Sequence, residues 1–335
     1  MITGSIYVGI DLHKHKFDFV MLDDSGVLLS QGSRRTDVGA IADFAVQLGS
    51  RHQVVLEPLQ NSLWFLDHIR PYAGSVHVAN PGKVRLIAES RLKNDRIDAR
   101  ILADLLRVGY LPEVYIPDDK VRQWRCLVSH RIRLVRDSTR LKNRILGLIN
   151  REGFCIAASD PFGKQGRGEF DSLGLSPLLR QMVESNLTTL GLYTSQVAAL
   201  DKEIKEIVES DETARLLCTI DGVGCFTALA IKAAVGDMRR FRSARAFAAY
   251  TGLIPGYRQS GDKVRNGSIT KQGNSTLRWL LIQAVTHAIR RSDYLKRLYH
   301  RICFRSSVGK ARVAVAHALA RIIYQVWTEA RPYYR

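Results

Sequence analysis

Residues 6–11 read Ile-Tyr-Val-Gly-Ile-Asp and residues 17–22 read Phe-Asp-Phe-Val-Met-Leu, and these two runs decide the fold class. Both are short and rich in the β-branched and aromatic residues that favour strands. A third run, at 27–30, follows the turn Asp-Asp-Ser-Gly at 23–26. The chain is therefore predicted to begin with three consecutive strands.

Helix and strand patterns alternate after these three strands. Residues 53–57 indicate a buried strand that ends before a proline, and residues 75–79 indicate another. Helical patterns cover residues 37–48, 61–69 and 94–108. Three strands followed by this alternation predict a mixed sheet covered by helices, an α/β fold of the ribonuclease-H type.

The charge of the chain indicates a polyanionic partner. Its 335 residues include 50 Lys and Arg against 32 Asp and Glu, a formal net charge of +18. Residues 120–151 hold ten of these cations and one acid, Asp137, and the segment from Arg239 onward holds twenty cations and three acids. Phosphate contacts release counterions, so such a surplus favours DNA or RNA.

Composition also limits where the protein acts. No apolar run approaches the ~20 residues that a bilayer span requires. The first nine residues do not read as a signal peptide. The five cysteines have neither zinc-site nor CxxC spacing. We therefore expect a cytoplasmic, nucleoid-associated protein without membrane contact.

In two long segments, mostly apolar residues recur at alternating spacings of three and four. One extends from Leu127 to Leu148 and the other from Leu179 to Ile207, separated by a Gly- and Pro-containing break. This pattern predicts an antiparallel helical hairpin or a dimerising coiled coil, with two amphipathic helices on a globular core as the alternative. The predicted domains are residues 1–117 (carboxylate domain), 118–212 (basic helical or coiled-coil connector) and 213–335 (a mainly α C-terminal domain).

Four carboxylates form a candidate metal site. Asp11 and Glu57 end predicted strands, and Asp95 and Asp98 lie three residues apart on one helix face. Acids at strand ends and a helix start can converge at one sheet edge, where a divalent cation would relieve their repulsion. Oxygen ligands suit Mg²⁺ or Mn²⁺, and two such ions can act on a phosphodiester. As alternatives, Asp95 could cap its helix and Asp98 could pair with an arginine.

A glycine-rich loop at residues 252–274 combines hydroxyl and basic groups. Ser260 is its candidate nucleophile, and Ser268 is a second one. The loop cations are expected to hold phosphates or stabilise a transition state: Arg258, Lys263, Arg265 and Lys271. A simple nucleic-acid contact is the alternative to a catalytic centre.

Two further segments are expected to bind nucleic acid. Residues 220–229 resemble a helix-hairpin-helix, in which Gly222 and Gly224 would offer backbone N–H groups to DNA phosphates; an ordinary helix corner is the alternative. The basic helical segment is expected to bind structured RNA through its backbone and shape. Its candidate contacts are Arg122, Arg125, Arg133, Arg136, Arg140, Lys142 and Arg144.

Together these motifs resemble the DEDD insertion-sequence transposases, a group that includes the Piv-type DNA invertases and the bridge-RNA-guided recombinases. Residues 9–14, Gly-Ile-Asp-Leu-His-Lys, match the first Asp segment, and Leu56-Glu57 matches the Glu segment. Residues 93–103 match the paired-Asp helix, and residues 252–278 match the C-terminal transposase domain. The resemblance therefore covers nearly the whole chain.

The resemblance implies a DNA transposase or site-specific recombinase. Its RuvC-like domain would bind Mg²⁺ through Asp11, Glu57, Asp95 and Asp98, and Ser260 would form a covalent phosphoserine linkage with donor and target DNA. A structured noncoding RNA encoded by the element would act as a guide. Ser260 is followed by Gly261-Asp262, where relatives often show a Ser-Ser-Gly-Gly run, and the role of Asp262 is unassigned.

Joining two duplexes requires at least two protomers, so we expect a dimer or tetramer. A helix from 120 to 151 would extend ~48 Å, so the chain leaves the carboxylates before it reaches the serine. We expect a site assembled in trans between protomers.

Three other functions stay open. A RuvC-like nuclease would hydrolyse DNA with water and form no covalent intermediate. A tyrosine recombinase is suggested by Arg312, His317, Arg321 and Tyr324, although these lie in one continuous helical run. A non-catalytic nucleic-acid-binding protein would explain the charge but not Glu57 or the Asp95 and Asp98 pair.

Overall fold

The computed structural model describes residues 4–87, 95–260 and 263–333, with the backbone alone described at 257–260 and 263–266. Asn94, the first residue of the helix predicted at 94–108, and Asp262 lie outside the described residues. The chain divides into two compact units, residues 1–116 and 117–335.

The first unit is built on a five-stranded mixed sheet. Its strands are β1 (Ile6–Leu12), β2 (Lys16–Leu22), β3 (Leu28–Arg35), β4 (His52–Leu56) and β5 (Ser75–Val78). They lie in the order β3-β2-β1-β4-β5. Short turns make β1, β2 and β3 antiparallel, whereas helical crossovers make β1, β4 and β5 parallel. The prediction of a mixed sheet is confirmed.

Helices cover both faces of this sheet. They are α1 (Val38–Ala45), α2 (Ser62–Ile69), α3 (Pro81–Ile87) and α4 (Asp95–Arg107). On one face Phe17 packs edge-on against Phe44 of α1 and Phe65 of α2. On the other face α4 packs through an apolar stripe that includes Leu102. The sheet is therefore an inner layer, with the ends of its strands left open for a site.

Gly9 allows α4 to lie directly on β1. A Cβ atom built at this position would stand 1.9 Å from the carbonyl oxygen of Ala99 and 2.7 Å from the amide nitrogen of Ala103. Only glycine leaves room for the helix backbone at this distance. The missing side chain thus fixes how the first turn of α4 approaches the end of β1.

The second unit is mainly helical, as the sequence predicts. Its long helices are α5 (Asp119–Arg151) and α7 (Pro177–Ser210). The other helices are α6 (Lys164–Ser172), α8 (Glu212–Cys218), α9 (Cys225–Val235), a 3-10 helix (Met238–Arg240), α10 (Ala244–Tyr250), α11 (Ser275–Arg291), α12 (Asp293–Arg305) and α13 (Val308–Glu329). Among the described residues, no helix is both long and apolar enough to cross a membrane.

Helices α5 and α7 pair antiparallel within one chain. Trp124, near the start of α5, shares a buried apolar cluster with Ile204, near the end of α7. Ile145, near the end of α5, shares another cluster with Val183, near the start of α7. The structure thus adopts the first of the predicted arrangements, an antiparallel hairpin, and we call this pair the basic arm.

Residues 252–274 differ from the predicted loop, because most of them form a β-hairpin of β6 (Pro255–Ser260) and β7 (Lys263–Ile269). Gly252 and Gly273 have φ angles of 69° and 99° and turn the chain at the base of the hairpin. Arg278 Nη1 donates to the carbonyl oxygens of Thr251, at 3.2 Å, and Lys271, at 3.0 Å. The glycines that interrupt the helical pattern therefore mark the base of two extended strands.

Candidate metal centre and serine hairpin

The predicted carboxylates gather at the carboxyl ends of β1 and β4. Ile10 pairs with Leu56 in the parallel register, so Asp11 and Glu57 follow at neighbouring positions, on strands ~4.8 Å apart. Asp95 and Asp98 occupy the first turn of α4, which Gly9 holds against β1. The sheet and one helix thus bring the four predicted acids to one end of the unit.

His13 joins this cluster although the sequence pattern did not single it out. One ligand atom each from Asp11, His13 and Asp95 lie within 4.8 Å of one another. The Nε2 atom of His13 is 3.3 Å from Asp11 Oδ2 and 3.5 Å from Asp95 Oδ2. This buried ring nitrogen has no hydrogen-bond partner among the described residues. An unmatched nitrogen facing two carboxylates is the arrangement that a shared cation would complete.

Lys16 and Asp18 also belong to this cluster of charged residues, although the sequence pattern singled out neither. The Lys16 ammonium contacts Asp95 and lies 3.1 Å from Asp18, which is 4% exposed and directly opposite Asp11 on β2. Hydrogen bonding with Asp95 raises the pKa of Lys16, and the same bond lowers the pKa of Asp95. A cation therefore already lies among these acids.

The electrostatics of Asp11 favour a further positive charge. Burial raises the pKa of the Asp11 carboxyl, His13 opposes this effect, and the charges of Asp95, Asp98 and Asp18 add to it. A bound dication would reverse this repulsion. Carboxylate oxygens suit Mg²⁺ or Mn²⁺, and an imidazole suits other divalent transition metals, so the residues present suit a divalent cation.

The β6–β7 hairpin carries the predicted serine at the end of its first strand. Ser260 pairs with Lys263, and Arg258 pairs with Arg265, in the antiparallel register. The side chains of these four residues lie outside the described atoms. Lys271 is exposed at the hairpin base with a φ of 54°. The backbone thus places Ser260 at the tip of a hairpin that is held at its base by hydrogen bonds.

The two glycines of the helix-hairpin-helix segment differ in their surroundings. Gly224 caps the N-terminus of α9, is exposed, and has open space around its Cα. A Cβ at Gly222, which has a φ of 88°, would stand 2.6 Å from the carbonyl oxygen of Ala284 in α11. The segment at Gly224 is accessible to a phosphate, whereas Gly222 is required for packing.

The seven predicted cations of α5 fall into two groups. Four are exposed at helical spacing and form one face, here called the arginine face: Arg133, Arg136, Arg140 and Arg144. The other three are less exposed and contact the protein: Arg122 pairs with Asp119, Arg125 donates to the Ala233 carbonyl at 2.7 Å, and Lys142 lies over the Phe162 ring. Within the arginine face, Arg140 pairs with Asp137 at 2.9 Å and Arg133 donates to the Ser129 carbonyl at 3.3 Å. The arginine face is therefore the part of α5 open to a polyanion.

Tyr324, the tyrosine considered as a nucleophile, is engaged in packing. Its hydroxyl donates to the carbonyl oxygen of Phe241 at 3.2 Å. Arg321 and His317, one and two turns earlier on α13, instead line a cavity. This arrangement disfavours a tyrosine recombinase.

Comparisons with known proteins place this chain among transposases. A transposase model of the DEDD, IS110 type matches residues 8–152, and a model of the transposase IS116/IS110/IS902 family matches residues 214–300. The transposase for insertion sequence element IS1111A of Coxiella burnetii is 26% identical over 97% of this chain and 90% of its own length. A probable family 20 transposase of Pseudomonas aeruginosa is 27% identical over 95% of both chains. The pilin gene-inverting protein of Moraxella bovis is 30% identical over 42% of this chain and 46% of its own.

Proposed function

Because the chain is a DEDD-type insertion-sequence transposase, we propose that it cuts and rejoins DNA with a carboxylate-bound divalent metal and a serine nucleophile. The observation that carries the proposal is the cluster of Asp11, His13 and Asp95 around an unmatched ring nitrogen. The proposed segments are a RuvC-like carboxylate domain (1–117), a basic connector (118–212) and a C-terminal transposase domain (213–335).

In this proposal Asp11, Glu57, Asp95 and Asp98 hold Mg²⁺ or Mn²⁺, and His13 is an additional ligand. When bound, the ion supplies Lewis-acid stabilisation of charge on the phosphate oxygens. The protein contributes a rigid frame, because three ligands stand on β1 or on the helix that Gly9 holds against it.

Ser260 performs the covalent step. Its hydroxyl oxygen forms a bond to the scissile phosphorus while the bond from phosphorus to one deoxyribose oxygen breaks. The serine proton is released, and the leaving oxygen keeps the electron pair and takes up a proton. Attack by a hydroxyl of another DNA strand reverses these changes, so rejoining requires no outside energy source. Arg258, Lys263 and Arg265 share the hairpin and would balance the phosphate charge.

The arginine face of α5 is the proposed contact for a structured RNA encoded by the element. Arg133, Arg136, Arg140 and Arg144 recur at spacings of three and four residues, so they present one continuous row to a phosphate backbone. Donor and target DNA would engage the hairpin and the α9 N-terminus at Gly224. Because recombination joins two duplexes, the active form would contain at least two protomers.

Trapping of the covalent intermediate tests the catalytic proposal. The full-length protein would be incubated with labelled DNA containing an element end and Mg²⁺, denatured, and digested for peptide mapping. We expect a DNA-linked peptide containing Ser260, loss of the adduct in Ser260→Ala, and its retention in the matched control Ser268→Ala. Metal-dependent cleavage without any adduct would instead support a RuvC-like nuclease that uses water.

A further inference from the structure

A cavity of about 890 Å³ lies within the second unit, and the catalytic proposal does not use it. The base of the β6–β7 hairpin, α12 and α13 line it. Much of its wall is apolar, with Leu253, Ile269, Leu298 and Val313 among the lining residues. Its volume falls in the range of small-molecule sites, which is about 300–1,000 Å³.

Basic side chains, two of them cationic, stand around this apolar cavity. Lys310, His317 and Arg321 of α13 line it, and His317 and Arg321 also line a neighbouring cavity of about 910 Å³ that includes Arg245. No acidic residue lines either cavity in the part of the chain that the structure describes. The charge therefore suits an anion with an apolar body.

The remaining polar groups suit a nucleobase. Tyr294, which is 55% exposed, lines the cavity of about 890 Å³ and offers a ring for stacking. Burial lowers the pKa of His317, and the charge of Arg321 lowers it further. A neutral imidazole can both donate and accept a hydrogen bond, as the edge of a base requires. Arg321 is exposed and has no hydrogen bond or ion pair among the described residues.

We propose that this cavity holds one unstacked nucleotide of a DNA strand, with the base against Tyr294 and the phosphate on Arg321 and Lys310. A duplex is too wide to enter, whereas a single extruded base fits such a site. The choice of DNA as the polyanion rests on the proposed function. The proposal adds a specificity site for an unpaired nucleotide, separate from the reacting atoms.

The hairpin sets the distance between this cavity and Ser260, the proposed nucleophile. Pro255 lines the cavity at the start of β6, and Ser260 ends the same strand five residues later. At ~3.3 Å per residue this separation is roughly 16 Å. The bound nucleotide would therefore lie several positions from the scissile phosphate, where it can select or orient the strand.

Binding measurements without metal test the proposal. The full-length protein would be titrated, in the presence of a chelator, with two DNA probes of equal length: a fully paired duplex and the same duplex with a short unpaired segment. We expect the wild-type protein to prefer the unpaired probe by ~10-fold. Ala314→Trp, which fills the cavity, and Arg321→Ala should each remove most of this preference.

The matched control is Arg312→Ala, which removes an exposed cation of α13 outside both cavities. It should weaken both probes equally and leave the preference unchanged. If Ala314→Trp and Arg321→Ala retain the wild-type melting temperature and the wild-type preference, the proposal is overturned. Tighter binding of an RNA strand with the unpaired sequence would also overturn it.

These outcomes are independent of catalysis. Ser260→Ala should keep the preference for the unpaired probe, because the proposed nucleotide contacts are Tyr294, Arg321 and Lys310. A covalent adduct at Ser260 without any preference would refute the cavity proposal alone. A preference without an adduct would refute only the catalytic proposal.

Discussion

Replacement of Gly9 by alanine should damage the metal site without touching any ligand. The added Cβ would stand 1.9 Å from the Ala99 carbonyl oxygen, where ordinary contact begins at 3.4 Å. The first turns of α4 must therefore retreat by about 1.5 Å, or β1 must bend by a similar amount. Asp95 and Asp98 lie in that part of the helix and would move with it.

Two magnitudes follow from this displacement. Forcing one extra methyl group into a packed contact costs about 1–3 kcal/mol of the free energy of unfolding. A misplacement of ~1 Å at a catalytic site lowers a rate by about 100-fold. Gly9→Ala should therefore fold with a lowered melting temperature and lose DNA cleavage by a larger factor than its loss of stability explains.

Gly39→Ala is the matched control. Gly39 lies in the first turn of α1, where a Cβ meets only Asp37 at 3.6 Å. Alanine there should leave stability unchanged or raise it by about 0.5–1 kcal/mol. The measurements are urea unfolding and cleavage of element-end DNA. If Gly9→Ala matches the wild type in both, the reasoning from the contact between β1 and α4 is refuted.

Four other outcomes are expected. Mg²⁺ or Mn²⁺ should raise the melting temperature of the wild type but not of Asp11→Asn, and equal shifts would contradict the metal site. Mixed oligomers of Asp11→Asn and Ser260→Ala should recover part of the cleavage, whereas no recovery in proven mixed oligomers would reject assembly in trans. Arg136→Glu should reduce the RNA that copurifies from the native host, and an unchanged yield would exclude the arginine face as its contact. Asp211→Asn should lower the free energy of unfolding by about 2 kcal/mol at neutral pH, because Asp211 caps α8 and lies 2.9 Å from Lys232. Burial acts to raise the pKa of Asp211, but its hydrogen bonds with Lys232 and the Ala214 amide, together with the charges of Lys232 and Lys120, outweigh burial and lower the pKa. The wild-type advantage should therefore be present above about pH 4 and disappear below it; a difference that stays constant in acid would refute this linkage.

Local patterns were sufficient to predict the strands and the helix that carry the candidate metal site. Alternating apolar runs predicted the strands of the mixed sheet, and the three-residue spacing of Asp95 and Asp98 placed both acids on one turn of α4. The buried acid Asp18 carried a similar signal, because it interrupts the apolar run from Phe17 to Leu22. The same signal is present at Glu57, which follows three apolar residues, but the prediction named Glu57 and not Asp18.

Other features depend on contacts that no local pattern contains. His13 and Lys16 reach the carboxylates only because β1 and β2 pair with Asp11 opposite Asp18. The sequence showed them as part of a polar turn. The cavity beside Arg321 likewise requires the hairpin base to lie against α13, an arrangement set by tertiary packing. Such sites emerge from register and packing, which a single sequence does not specify.

The pairing within the basic arm has a mechanical consequence for the arginine face. Arg133, Arg136, Arg140 and Arg144 stand three or four residues apart on α5, so neighbouring like charges oppose helix formation by about 0.2–0.5 kcal/mol per pair. Helix α7 offsets this repulsion, because its apolar seam and the bond between Asp201 and Arg131 hold α5 in its helical form. An excised α5 peptide would lose its regular row of guanidinium groups, and changes in α7 would alter polyanion binding without removing a single positive charge.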